Sequence, residues 1–161
     1  GISLLTAGVA FLLHEIAHKV VAVNYGQVAE FRADYGMLFL AVVSALAGFI
    51  FAAPGAVYHR GVLSDKEHGL IALAGPAVNL VLAVVFVPVL LLGVFTGSGF
   101  LDLVGSRGVA INLFLAAFNL LPFGALDGRT VLDWSTPVFV AVFVPSVVLA
   151  VLVVFVFGVG F

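Results

Sequence analysis

Cysteine is absent from this 161-residue chain, and charge is scarce: six Lys plus Arg and eight Asp plus Glu make up 9% of it. The first absence excludes disulfides and thiolate metal sites, so any transition metal must be held by His, Asp or Glu. The second excludes an ordinary soluble domain, in which about a quarter of the residues are charged. A net charge of -2 offers no basic excess for nucleic acid. Residues 1–13 carry no charge, no basic leader and no small-residue cleavage site, so they do not read as a signal peptide. They begin abruptly in apolar sequence, and we expect that a segment before Gly1 has been trimmed from a single transmembrane domain covering 1–161.

What the chain does have is apolar bulk. It is 64% hydrophobic with 16 Phe, at a mean hydropathy of +1.34. The bilayer is the solvent such a sequence suits. A spanning helix needs about 20 mostly apolar residues. Four segments qualify, from about Gly1 to Asn24, Gly69 to Phe95, Gly108 to Leu121 and Pro137 to Phe161. A further apolar run lies between Gly36 and Val57. Charged stretches around Glu30 to Asp34, His59 to His68, Asp102 to Arg107 and Asp127 to Asp133 separate the segments. The expected fold class is an all-α polytopic membrane protein, with a small membrane-embedded re-entrant or strand-containing element over Gly36 to Val57.

Within the first segment stands His14-Glu15-Ile16-Ala17-His18. Three ionisable side chains in one turn of an apolar helix are costly and usually mark a site. Residues at i and i+4 share a helix face, so His14 and His18 can present two imidazoles to one metal ion. Glu15 then lies beside the metal, where it can take a proton from water. This is the HExxH arrangement of zinc hydrolases. A salt bridge between Glu15 and Lys19 is the plainer alternative.

A catalytic zinc site needs a third protein ligand. Asp127 stands out among the remaining acids, because Pro122, Gly124 and Gly128 break the helix around it. Irregular backbone at membrane depth is tolerated where it lines a protein cavity. From spacing alone, Asp127 as a ligand and Asp127 as a solvated turn residue are equally open.

Three motifs carry a resemblance that separates them. They are the HExxH, then Gly75-Pro76-Ala77-Val78-Asn79, then Asn119-Leu120-Leu121-Pro122 followed by Leu126-Asp127-Gly128. The chain resembles the site-2 protease family of intramembrane metalloproteases, whose GPxxN and NxxP…LDG motifs occur in this order. The resemblance spans His14 to Gly128. It implies one zinc ion held by His14, His18 and Asp127, Glu15 as the catalytic base, and Asn79 and Asn119 as polar groups that help hold substrate or ligands. It also implies a transmembrane-helix protein as substrate and the lipid bilayer as surroundings. The run over Gly36 to Ile50 departs from the family's shorter connection. Near Ala52 to Tyr58 a strand is expected, an edge on which an unwound substrate can pair.

Side-counting restricts that run. If Asp127 shares a metal with His18, the second and third spans must leave and return, and Gly36 to Val57 makes no net crossing. Lys19, Arg32, Arg60, Lys66 and Arg129 then gather on one side, with Arg107 opposite, a bias that marks the cytoplasmic face. The metal site would lie nearer that face. Two other functions remain compatible with the residues: a transporter or channel using the ionisable groups as a cation pathway, and an inactive family member acting as a binding partner.

Overall fold

A computed structural model describes residues 1–33, 55–60 and 63–160, with side chains described for 1–27, 63–154 and 156–160. The chain divides into two compact units, Gly1–His18 with Leu63–Phe161, and Lys19–Val62.

The first unit is helical. A π-helical turn, Leu4–Gly8, runs into α1, Val9–Asn24, whose last six residues belong to the second unit. Then come α2, Asp65–Thr96, α3, Gly99–Asn119, the short α4, Asp127–Trp134, and α5, Thr136–Ala150, which continues as a π-helical stretch to Val156. Four of these are long and apolar enough to cross a membrane: Leu4–Asn24, Asp65–Thr96, Gly99–Asn119 and Thr136–Val154.

The helix ends follow from local chemistry. Ser64 caps α2 in a reciprocal box with Glu67: the Ser64 hydroxyl accepts from the Glu67 N–H, and the Glu67 carboxylate accepts from the Ser64 N–H at 2.8 Å. Gly97 ends α2 in the left-handed region at φ 68, where glycine bears no Cβ penalty. Ser98 then caps α3 directly, and Ser135 caps α5 ahead of Pro137.

That tight turn corrects the expected third span. The acidic and basic residues Asp102 and Arg107 read as interruption in the sequence, but both lie inside α3. The helix starts at Gly99 rather than near Gly108. Asp102 falls in its first turn, where the helix dipole favours a carboxylate.

Helices α2 and α3 form an antiparallel pair held by small residues. A Cβ on Gly93 would lie 2.7 Å from the Leu101 carbonyl carbon, one on Gly105 2.8 Å from the Leu90 Cβ, and one on Gly108 2.7 Å from Phe86 Cδ2 and closer still to the rest of that ring edge. Such close backbone approach is the usual basis of helix association in lipid, where burial of apolar surface gives no driving force. Ala83, Val109, Leu113 and Ala150 form a core between α2, α3 and α5. Ala72, Val131 and Phe139 form another between α2, α4 and α5. Trp134 packs over Gly69, where any Cβ would collide with it.

The distribution of polarity is compatible with a membrane domain. Thr6, His14, His18, Asn79, Asn112 and Ser146 are buried, while Val84, Leu92, Phe95, Phe114 and Phe157 are exposed. An apolar exterior of this extent around buried polar groups is suited to lipid.

In the second unit, β1 (Val28–Ala33) pairs antiparallel with β2 (Gly55–Arg60), with Val28 opposite Arg60 and Ala33 opposite Gly55. The re-entrant or strand-containing element expected over Gly36 to Val57 lies outside the described residues, apart from 55–57.

Candidate metal centre

Helix α1 places His14 and His18 on one face, one turn apart, both buried. Their Nε2 atoms face each other at 3.0 Å. Asp127 begins α4, and its Oδ2 lies 3.3 Å from His14 Nε2 and 3.4 Å from His18 Nε2. These are the side chains among the described residues that could hold a metal together. All belong to the first unit.

Two features bring Asp127 there. The backbone after α3 turns through Gly124 at φ 64 before α4 begins. Gly128 then lets the first turn of α4 press on the end of α3, since a Cβ there would sit 2.7 Å from Leu120 Cα and closer still to the Leu120 carbonyl.

The outer nitrogens of both rings are engaged. His18 Nδ1 donates to the Ile71 carbonyl at 2.7 Å. His14 Nδ1 donates to Asn79 Oδ1 at 2.5 Å. Each Nδ1 therefore carries the ring proton, and each Nε2 turns a lone pair inward toward the other and toward a carboxylate. A donor set of this kind calls for a cation. With Zn–N and Zn–O distances of about 2.0–2.2 Å, the ligand atoms of a tetrahedral zinc lie about 3.3 Å apart. The observed separations of 3.0, 3.3 and 3.4 Å match that edge length. Outer acceptors on both imidazoles are a further mark of zinc-binding histidines.

Space for the ion is left by Gly75. A Cβ at that position would lie 2.5 Å from His14 Nε2 and would also collide with His18 Nε2. Pro76 follows it and removes a helical N–H from this turn of α2, a loss tolerated in a packed membrane helix. Glu15, next along α1, is half-buried and within electrostatic reach of His18, His14 and Asp127.

Comparison with known proteins agrees with the donor set. The chain is 43% identical over 148 residues to "Putative zinc metalloprotease MJ0611" of Methanocaldococcus jannaschii, covering 91% of this chain and 76% of that protein. It is 31% identical over 153 residues to "Putative zinc metalloprotease YwhC" of Bacillus subtilis, covering 83% of this chain and 68% of that protein. The chain belongs to this family of zinc metalloproteases. No family model matches it, and no solved structure does.

Within this metalloprotease, the two asparagines singled out in the sequence occupy different places. Asn79 is fully buried behind His14, and its amide nitrogen donates to Ala10 O and to Asn112 Oδ1. All these hydrogen bonds are to protein, one of them to the His14 ring. Asn119 donates its amide N–H to the Leu115 carbonyl of its own helix at 2.9 Å. Three contributors were missed by sequence reasoning: Gly75 as the open wall, the Ile71 carbonyl, and Asn112. Asn112 had a signal. It lies seven residues before Asn119, deep in an apolar helix, where a polar side chain needs a reason.

Proposed function

We propose that the protein is an intramembrane zinc metallopeptidase of the site-2 protease type, cleaving a peptide bond within or beside a transmembrane helix of a protein substrate. The observation that supports this most is the depth of the donor set. Gly75, which borders it, lies about 15 Å along α2, a helix of 32 residues and about 48 Å. The hydrocarbon core of a bilayer is about 30 Å thick; centred on this helix it leaves about 9 Å outside at each end, which puts Gly75 about 6 Å inside the core.

In this reading His14, His18 and Asp127 hold the zinc, which when bound supplies Lewis acidity toward the scissile carbonyl and toward water. Glu15 accepts a proton from the attacking water on a carboxylate oxygen and delivers it to the departing amide nitrogen, which leaves as an amine. Lys66 and Arg129, near the site in the chain, favour the cytoplasmic face for it by the positive-inside rule.

The test is reconstitution with a single-span protein substrate in vesicles. Fragments cut inside or at the edge of the span, lost on chelation and restored by zinc, are expected. Cleavage confined to soluble peptides would refute the intramembrane reading, and zinc-independent cleavage would refute the metallopeptidase reading.

A further inference from the structure

The two imidazoles are oriented by different devices. The acceptor behind His18 is the Ile71 backbone carbonyl, which can only accept, so His18 Nδ1 must donate. The acceptor behind His14 is a side-chain amide, which has an oxygen end and a nitrogen end. With its oxygen toward the ring, Asn79 requires the proton on His14 Nδ1 and leaves Nε2 free to ligate. With its nitrogen toward the ring, it would donate to Nδ1, move the ring proton to Nε2 and block the metal.

The choice is made one residue further out. Asn79 Nδ2 donates at 3.0 Å to Asn112 Oδ1 and at 3.3 Å to the Ala10 carbonyl. Asn112 in turn donates from Nδ2 to the Gly108 carbonyl at 2.8 Å. Asn79 and Asn112 are both fully buried. The row therefore has one polarity, starting from a carbonyl that cannot donate: Gly108 C=O, Asn112, Asn79, His14. Turning Asn79 over would set its oxygen against both Ala10 O and Asn112 Oδ1, two acceptor–acceptor contacts buried from solvent. Turning Asn112 as well would only move one such contact to Gly108 O.

We propose that Asn112 is a positioning residue which, through the Asn79 amide, fixes His14 in the tautomer whose Nε2 can hold zinc. The proposal rests on the zinc reading above for its consequence, but not for the tautomer itself. No motif includes this residue; its position on α3, facing Asn79 of α2 across the glycine-lined interface, gives it the role.

The test uses nitrogen NMR of labelled histidine in the solubilised full chain, with and without zinc, beside a chelator competition for zinc affinity. In the metal-free wild type His14 should carry its proton on Nδ1. Asn112→Leu keeps an apolar side chain of similar outline and removes both ends of the relay. It should give a mixture of His14 tautomers, leave His18 unchanged, and weaken zinc binding about 10- to 100-fold, the usual effect of losing an outer partner of a zinc ligand. Asn112→Asp, neutral when buried, can donate its O–H to Gly108 O and accept from Asn79. It should restore both the tautomer and the affinity to within a few-fold. A residue needed only for packing would give the reverse order, with Leu tolerated and Asp not. An Nε2–H tautomer in the wild type, an unchanged His14 signal in Asn112→Leu, or equal losses in both variants would overturn the proposal. If Asn112→Leu does not fold, the wild-type tautomer and the Asp variant decide. A wild type with the expected tautomer but no zinc affinity would refute the zinc reading and leave the relay standing.

Discussion

Gly75→Ala asks the most of the site for the least change in the chain. The added methyl would sit 2.5 Å from His14 Nε2 and 2.6 Å from His14 Cε1, and would overlap His18 Nε2. Ordinary contact begins near 3.4 Å, so the rings or the helix must retreat by about 1 Å. Overpacking of this size costs about 1–3 kcal/mol. A metal site tolerates about 0.2 Å in its ligand distances, so the retreat removes at least one imidazole from the ion. We expect zinc affinity to fall at least about 100-fold, or about 3 kcal/mol. Helix content should hold, because alanine is a better helix former than glycine by about 1 kcal/mol. The measurement is chelator competition on solubilised protein beside circular dichroism. Gly99→Ala is the control, since nothing lies within 4 Å of its Cβ position, and it should bind zinc as the wild type does. A Gly75→Ala protein with unchanged zinc affinity and helicity would show that the metal face of α1 does not look onto Gly75, and the argument from the open wall would fail.

Three further outcomes are expected. Glu15→Gln should keep one zinc per chain, read by elemental analysis, and lose cleavage by about 10²–10⁴-fold; near wild-type proteolysis would place the base elsewhere. Asp127→Ala removes a carboxylate within 3.4 Å of both histidines and should lose zinc under dialysis that leaves the wild type loaded, whereas retained metal would mean that the carboxylate only balances charge. For topology, single cysteines at Ser64, Ser98 and Ser135 in this cysteine-free chain can be probed with an impermeant thiol reagent. The α2–α3 hairpin puts Ser98 opposite the other two, and labelling of Ser64 with Ser98 would contradict a spanning α2.

The chemistry of the site was more legible in the sequence than its architecture. Two histidines at i and i+4 with a glutamate between them are visible because charge in an apolar helix has few other uses. Asp127 was visible because proline and glycine interrupt the helix before it. Charge misled in two places. Asp102 and Arg107 look like a loop, yet the serine cap and glycine turn let α3 begin at once and carry both. The stretch from Asp127 to Trp134 reads as punctuation, yet it is a helix. Arg129 and Asp133 pair at 2.9 Å on its outside, and Val131 is buried on its inside. Asn112 was hidden for another reason: an asparagine in an apolar helix is commonly satisfied by its own backbone, and only the register between α2 and α3 shows that its oxygen faces Asn79.

That register also explains why glycine does two separate jobs here. Gly93, Gly105 and Gly108 let two backbones approach, and their work is done wherever along the interface a close contact is needed. Gly75 and Gly128 are bound to single points. One keeps a side chain out of the space between two imidazoles, and the other keeps a side chain out of the Leu120 carbonyl so that Asp127 can reach the same space. Each stands beside a residue with chemistry of its own: Gly75 lies one turn from Asn79, and Gly128 lies next to Asp127. A motif such as GPxxN or LDG then reads as a volume condition joined to a polar one. The two conditions meet at the histidines of a third helix, which is why segments more than 100 residues apart in the chain constrain a volume only a few ångströms wide.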